Sequence, residues 1–234
     1  MNKTYRLIWN ETLNTWVAVA ETVRSRGKRS SGTLLLAAAL SAVLPAPTFA
    51  APPAANQLPT GGQIVGGSGA IAQSSAAMTV TQTSQRMIAN WQSFDIGSQA
   101  SVRFNQPSAT SVALNRVLNQ NSTQILGRLS ANGHVMLVNP AGIVFDIGSQ
   151  VDVGALTAST LAISDASFMA GRHQFAREAG ALAGSIVNQS RIVTPDGGIV
   201  ALIAPVVQNE GSIETPKGST LLAAGALIDN SGSR

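Results

Sequence analysis

Beyond residue 62 the apolar residues of this chain come in short runs broken by Gly, Asn, Asp, Ser and Pro. Gln63–Val65, Met78–Thr83, Met87–Trp91, Ser101–Phe104, His134–Val138 and Gly198–Ile203 are predicted as strands. Val112–Leu118 and Thr123–Leu129 fit a strand or a short helix, and Ala176–Ala183 fits a single helical turn or a loop. One run is different in kind. Thr33–Leu44 is continuously apolar but too short for a membrane span, which needs about 20 residues. Residues 51–62 are rich in Pro and Gly and are expected to be flexible.

The spacing of the runs says more than any one of them. Asn188, Asn209 and Asn230 fall in one column of a repeat, as do Ile186, Val207 and Ile228, and Ser190, Gly211 and Gly232. Ile192 with Ile213, Thr194 with Thr215, Pro195 with Pro216 and Gly197 with Gly218 keep the same offset. The hexapeptide Phe94–Gln99 recurs at Phe145–Gln150, each time before a strand-like run. Three short strands and three tight turns use roughly 20 residues, one coil of a parallel β-helix. Inward Ile and Val then stack like on like, and repeated Asn forms a ladder of side-chain amides. The predicted fold is all-β, a right-handed parallel β-helix with an N-terminal cap. At about 4.8 Å per coil, residues 68–234 give about eight coils and roughly 40 Å of length. A leucine-rich repeat would require regular Leu and a helical side, and neither is present. The irregular stretch from Gln63 to about Val80 is the candidate cap, since the first coil has an open edge. The chain stops inside the third copy of the repeat, so it is expected to be the start of a longer protein or the product of a truncated gene.

Charge sharpens the organisation. All of the formal net charge of +4 lies in residues 1–50, through Lys3, Arg6, Arg24, Arg26, Lys28 and Arg29 against Glu11 and Glu21. The remainder balances, which argues against nucleic-acid binding. Arg24–Arg29, the apolar run, Pro45, Pro47 and the small-residue end at Ala50 have the order of a cleavable secretory signal peptide, with cleavage between Ala50 and Ala51. The expected organisation is a signal peptide over 1–50, a flexible mature N-terminus over 51–67 and a β-helix domain over 68–234. Met1–Val23 is longer than a plain signal requires. Trp9, Leu13, Trp16 and Val17 fit one face of an amphipathic helix.

That N-terminal stretch, with its Asn-Lys-x-Tyr-Arg, Ile-Trp-Asn and Trp-Val-Ala-Val pieces, closely resembles the extended signal peptide region of very large Gram-negative exported proteins. Residues 85–175 resemble the haemagglutination-activity, or filamentous-haemagglutinin N-terminal, domain of two-partner secretion exoproteins. The resemblance is carried in order by QRMIANWQSFDIG from Gln85, VALNRV from Val112, QILGRL from Gln124, Asn132-Gly133, LVNPAGIVF from Leu137, and Ala158–Leu161 with Ile163-Ser164. Ala141 stands where the family usually has a second Asn, yet Gly142 can still close the turn. The resemblance implies export through the general secretory translocon. The module is then recognised by periplasmic domains of a cognate outer-membrane β-barrel transporter, and the β-helix folds at the cell surface. Asn115, Arg116, Val117, Asn139, Pro140, Gly142 and Ile143 are the implied recognition residues. Asn115, Asn139 and Gly142 equally fit turn and ladder positions, and Arg116 is the candidate for a direct polar contact.

Catalytic chemistry finds little footing. The chain has no cysteine, and only His134 and His173 as histidines. No nucleophile elbow, metal-ligand spacing or phosphate loop is present, so no enzyme activity, metal or cofactor is expected. Three cargos remain open beyond residue 234: an adhesin that meets a host-cell receptor or glycan, a haem- or haemopexin-binding exoprotein, and a contact-dependent toxin. A carbohydrate-active β-helix enzyme is the alternative of a different class, and an acidic cluster on one outer face would favour it.

Overall fold

The computed structural model describes residues 5–10, 15–20, 51–177, 180 and 184–224. The chain divides into two units, Met1–Pro47 and Thr48–Arg234. In the first, β1 (Tyr5–Asn10) and β2 (Thr15–Ala20) pair as an antiparallel hairpin with Trp9 opposite Trp16. The spacing that suggested one face of a helix is thus a cross-strand spacing. The apolar run Thr33–Leu44, Ala50, most of Ala176–Ala183 and the third repeat copy at Ile228, Asn230 and Gly232 lie outside the described residues.

The second unit is a parallel β-helix behind an antiparallel cap. The cap is β3 (Gln63–Gly66) and β4 (Gly69–Ser74). Coil one holds β5 (Ala77–Gln82) and β6 (Arg86–Trp91), which pair antiparallel with β4 and β3. Coil two holds β7 (Ser101–Asn105), β8 (Val112–Val117) and β9 (Thr123–Ile125). Coil three holds the long β10 (Arg128–Val138), whose register shifts between Ala131 and His134, and β11 (Ile143–Phe145). Coil four holds β12 (Gln150–Ser159), α1 (Asp165–Met169) and β13 (Ser185–Asn188). Coil five holds β14 (Arg191–Val193), β15 (Ile199–Ala204) and β16 (Val206–Asn209), and coil six β17 (Ser212–Glu214) and β18 (Ser219–Ala224). Three parallel stacks result. The first runs β5, β7, β10, β12, β14, β17; the second β6, β8, β10, β12, β15, β18; the third β9, β11, β13, β16.

Among the described residues six coils stand, where about eight were expected over residues 68–234. The 21-residue spacing holds where β13 meets β16, where β14 meets β17 and where His134–Val138 of β10 meets Ala155–Ser159 of β12, and at the first of these the Asn188 amide donates to Asn209 at 2.7 Å. Earlier coils carry longer connections, and the chain between β12 and β13 leaves the helix to form α1. Ser164 caps that short helix, its Oγ accepting from Ser167 N–H at 3.2 Å. The hexapeptide repeat is also not a structural one. Ile96 bridges to Ile125, which stacks on Phe145, so the column runs two residues out of step with the sequence match. Ile96 is fully buried, whereas Ile147, its sequence counterpart, is 76% exposed.

The stretch after Ala50 is held rather than loose. Leu58 is buried in the core, and Gly97 and Gln99 N–H groups donate to the Gln57 and Ala55 carbonyls at 2.9 and 2.8 Å. A Cβ at Gly97 would sit 2.0 Å from the Ala54 carbonyl oxygen, so only glycine allows this approach. The cap is shorter than expected, ending at Ser74, because Met78 and Val80 already point into coil one. The interior is a single column of Val, Ile, Leu and Phe closed at the cap end by Trp91 and Phe94, whose rings meet edge to face at 5.3 Å.

Candidate recognition site

The two implied recognition segments end neighbouring strands of the second stack. Asn115 lies opposite Leu137 in adjacent coils, and Arg116 opposite Val138. Alternation sends Asn115 inward with Ala113 and Val117, and Arg116 outward. Asn115 is fully buried. Its Oδ1 accepts the Trp91 indole N–H at 3.0 Å, and its amide donates to the Ala113 and Met136 carbonyls at 3.2 and 3.3 Å. A buried indole needs such an acceptor, because an orphaned N–H costs about 1–3 kcal/mol.

Asn139 begins the turn after β10 and is also fully buried. Its Oδ1 accepts Ala141 N–H at 2.9 Å, and its amide donates to the Asn121 carbonyl and Thr123 Oγ1 at 2.9 and 3.0 Å. The turn therefore closes with Ala141 in place of the second Asn, since the residue there supplies only its N–H. Gly142 takes a φ of +122°, a region closed to most side chains, and its carbonyl accepts Thr123 N–H at 3.0 Å. Ile143 and Val117 are buried, and Pro140 is half-buried.

Arg116 is not a free surface cation. Its guanidinium donates to Asn90 Oδ1 at 3.2 Å, to the Ile163 carbonyl at 2.9 Å and to Asp165 at 2.6 Å. It pins the segment around α1 against the second stack. Beneath that segment, Ile163, Phe168 and Phe175 cover an outward apolar patch of Ile88, Val112, Leu114, Met136 and Val138. His134 lies at the rim of the covered patch. Its Nε2 is 2.9 Å from Thr157 Oγ1, and its ring stands edge-on to His173 at 6.2 Å. Burial, and to a lesser degree the neighbouring His173, lowers the His134 pKa to about 4. Burial, and then Arg86, lowers that of His173. His134 is thus half-buried at the edge of the α1 segment.

The sequence reading missed Leu118, which follows the Asn-Arg-Val motif and is 60% exposed. It separates two shallow grooves. One, of about 360 Å³, is lined by Arg116, Val117, Val138, Pro140, Ala141 and Ala162, among others, and so joins both motif segments. The other, of about 410 Å³, lies against Thr60, Gln92, Ser93 and Asn119. Gly184 was also missed. A Cβ there would meet the Pro140 carbonyl at 2.5 Å, so this glycine backs the Asn139 turn. Strict alternation past Val117 would have pointed Leu118 outward. Among the described residues, no three His, Cys, Asp or Glu side chains gather in a way that could hold a metal.

Comparison with known proteins locates this arrangement. A family model described as "TPS secretion domain" matches residues 53–234, and one described as "Extended Signal Peptide of Type V secretion system" matches residues 1–50. A heme/hemopexin-binding protein of Haemophilus influenzae is 42% identical over 106 residues, 45% of this chain and 12% of that protein. The autotransporter adhesin NhhA of Neisseria meningitidis serogroup B is 56% identical over 34 residues, 14% of this chain and 6% of that one. The crystal structure of the HMW1 secretion domain from Haemophilus influenzae superposes with a TM-score of 0.68 at 32% identity, covering 71% of this chain and 45% of that chain. The chain thus spans a small part of the relatives it matches.

Proposed function

The chain belongs to the family of TPS secretion domains, here behind an extended signal peptide of type V secretion, and from that premise we propose that its outer-membrane transporter reads the two grooves beside Leu118. Proteins of this family are exported across the Gram-negative envelope to the cell surface or medium, and the domain is the part that a cognate outer-membrane transporter recognises. In the proposed mechanism the general secretory translocon delivers the chain, and cleavage falls between Ala50 and Ala51. Periplasmic domains of the barrel transporter then seat on Leu118, Pro140 and Ala141. Asn115, Val117, Asn139, Gly142 and Ile143 act through shape, by holding the strand end and the turn that form the groove walls. Arg116 acts by fixing the α1 segment at the groove rim.

The observation that supports this reading is the exposed Leu118 between two grooves, one of them built from both motif segments. An exposed leucine beside such grooves offers apolar area that a partner could bury as an aliphatic anchor. The free edges of β3 and β4 in the cap offer a second surface, suited to strand addition. The activity of the whole protein after export is a reading apart from this domain's role. The adhesin reading leads, with haem or haemopexin binding next in view of the 42% identical relative.

The test is co-expression of the C-terminally tagged chain with and without its outer-membrane barrel, followed by assay of the medium. Barrel-dependent release of a protein starting near Ala51 is expected. Leu118→Asp is expected to fold with an unchanged melting curve and to lose most of that release. Release of Leu118→Asp at the normal rate would remove the grooves as the contact while leaving the domain's role in export intact.

A further inference from the structure

The outer face of the first stack lies apart from the grooves beside Leu118. On β7, Arg103 and Asn105 point outward, alternating with the buried Val102 and Phe104. One rung on, Arg128 lies beside Ser101 and Ser130 beside Arg103. The next rung sets Gln150 beside Arg128 and Asp152 beside Ser130. Arg103 and Arg128 are therefore diagonal neighbours, about 7–8 Å apart at their Cβ positions or slightly less.

Neither guanidinium meets a carboxylate in the ion pairs of the described residues. Arg103 Nε donates to Asn105 Oδ1 at 2.9 Å, and Arg128 donates to Gln150 Oε1. Both are oriented by neutral amides. Two open grooves of about 580 and 520 Å³ flank Arg128 and share it with Asp152, so that together they follow the helix axis across coils two to five. At the far end Arg191 is held by Glu214 in a two-pronged pair at 2.7 and 2.6 Å, which cancels its charge. The excess positive charge is at the Arg103–Arg128 end.

We infer that this groove binds an anionic polysaccharide laid along the helix axis, with its acid groups at Arg103 and Arg128 and its hydroxyls at Ser130 and Asp152. Guanidinium forks match carboxylate and sulfate oxygens in pairs. Rows of polar side chains repeat every rung, about 4.8 Å, close to the length of one sugar unit. The only aromatic at the groove, Phe104, is fully buried beneath it, so stacking on a neutral sugar is not available. An acidic peptide fits less well. β7 and β10 are interior strands, paired on both sides, so no backbone edge is open to it, and the groove offers no apolar pocket for an anchor side chain.

The test uses the full chain purified without export, so that it is independent of the transporter reading. Immobilised polygalacturonate, heparin, dextran and poly-L-glutamate are compared at physiological salt. Binding to polygalacturonate or heparin, absent on dextran and weakened about tenfold or more by Arg103→Gln with Arg128→Gln, supports the inference, and the stronger of the two names the acid group. The double variant is checked for an unchanged melting curve, and Lys217→Gln serves as a charge control expected to bind normally. Binding to neither polymer, equal binding to poly-L-glutamate, or binding that the double variant leaves unchanged would overturn it.

Discussion

Coils one to three and coils five and six are built on the same stacking rule and differ in almost everything else. The last two coils closely repeat what precedes them: Val207 stacks on Ile186 and Asn209 on Asn188 of coil four, and Ile213 on Ile192 of coil five. They are also the least buried, with β16, β17 and β18 largely exposed. Their polar contacts are surface pairs such as Lys217 with Asp196 and Arg191 with Glu214. The first three coils barely repeat, yet they hold Trp91, Phe94, Phe104, Asn115 and Phe145 at essentially zero exposure. Repetition in sequence and depth of core are separate properties here. Like-on-like columns suffice for a regular coil. A cap must instead close the column with large, unlike residues, and a buried indole then needs a buried amide.

Three experiments test that contrast. Trp91→Ala should have the largest effect, about 3–5 kcal/mol of unfolding free energy, whereas Ile213→Ala in coil six should cost far less. Urea denaturation of both variants measures the difference, and equal costs would mean that the exposed coils carry as much of the core as the cap end.

Next in size is a pH effect at the rim of the covered patch. His134 has its folded pKa lowered from the usual 6.5 to about 4, so the unfolded chain takes up the proton first. The contribution is fully present above pH 6.5 and is lost as pH falls towards 4, on the order of 2 to 3 kcal/mol. Thermal melts across that window should fall for the native chain, and His134→Gln should flatten part of the fall.

The smallest of the three is Asn115→Leu. It fills the same space but strands the Trp91 N–H, at about 1–3 kcal/mol, and Trp91→Phe in the same chain should recover part of that loss. A full loss that the second substitution does not relieve would show that Asn115 matters for its own two donated bonds, to Ala113 and Met136.

The export family was legible because its motifs are local strings, and the strand runs because alternation is local too. The candidate site was only half legible. Asn115, Asn139 and Gly142 could be read as turn or contact residues, and only their burial and bonds separate the two roles. Arg116 looked like an exposed cation because its partners, Ile163 and Asp165, lie 47 and 49 residues away. Leu118 carried no motif at all.

By itself, the sequence determined the parallel β-helix, its inward Ile and Val columns, the Asn rung of coils four and five, and the order of signal and module. Each of these follows from side-chain alternation or from one coil's period. Only the tertiary structure decided that the described residues form six coils, that Ile96 stacks in line with Phe145, and that the residues after Ala50 pack on coil one. It alone decided that Arg103 and Arg128 share a groove. Those outcomes depend on connection lengths and on contacts between residues far apart along the chain, which stacking sums over the whole molecule and no local pattern records.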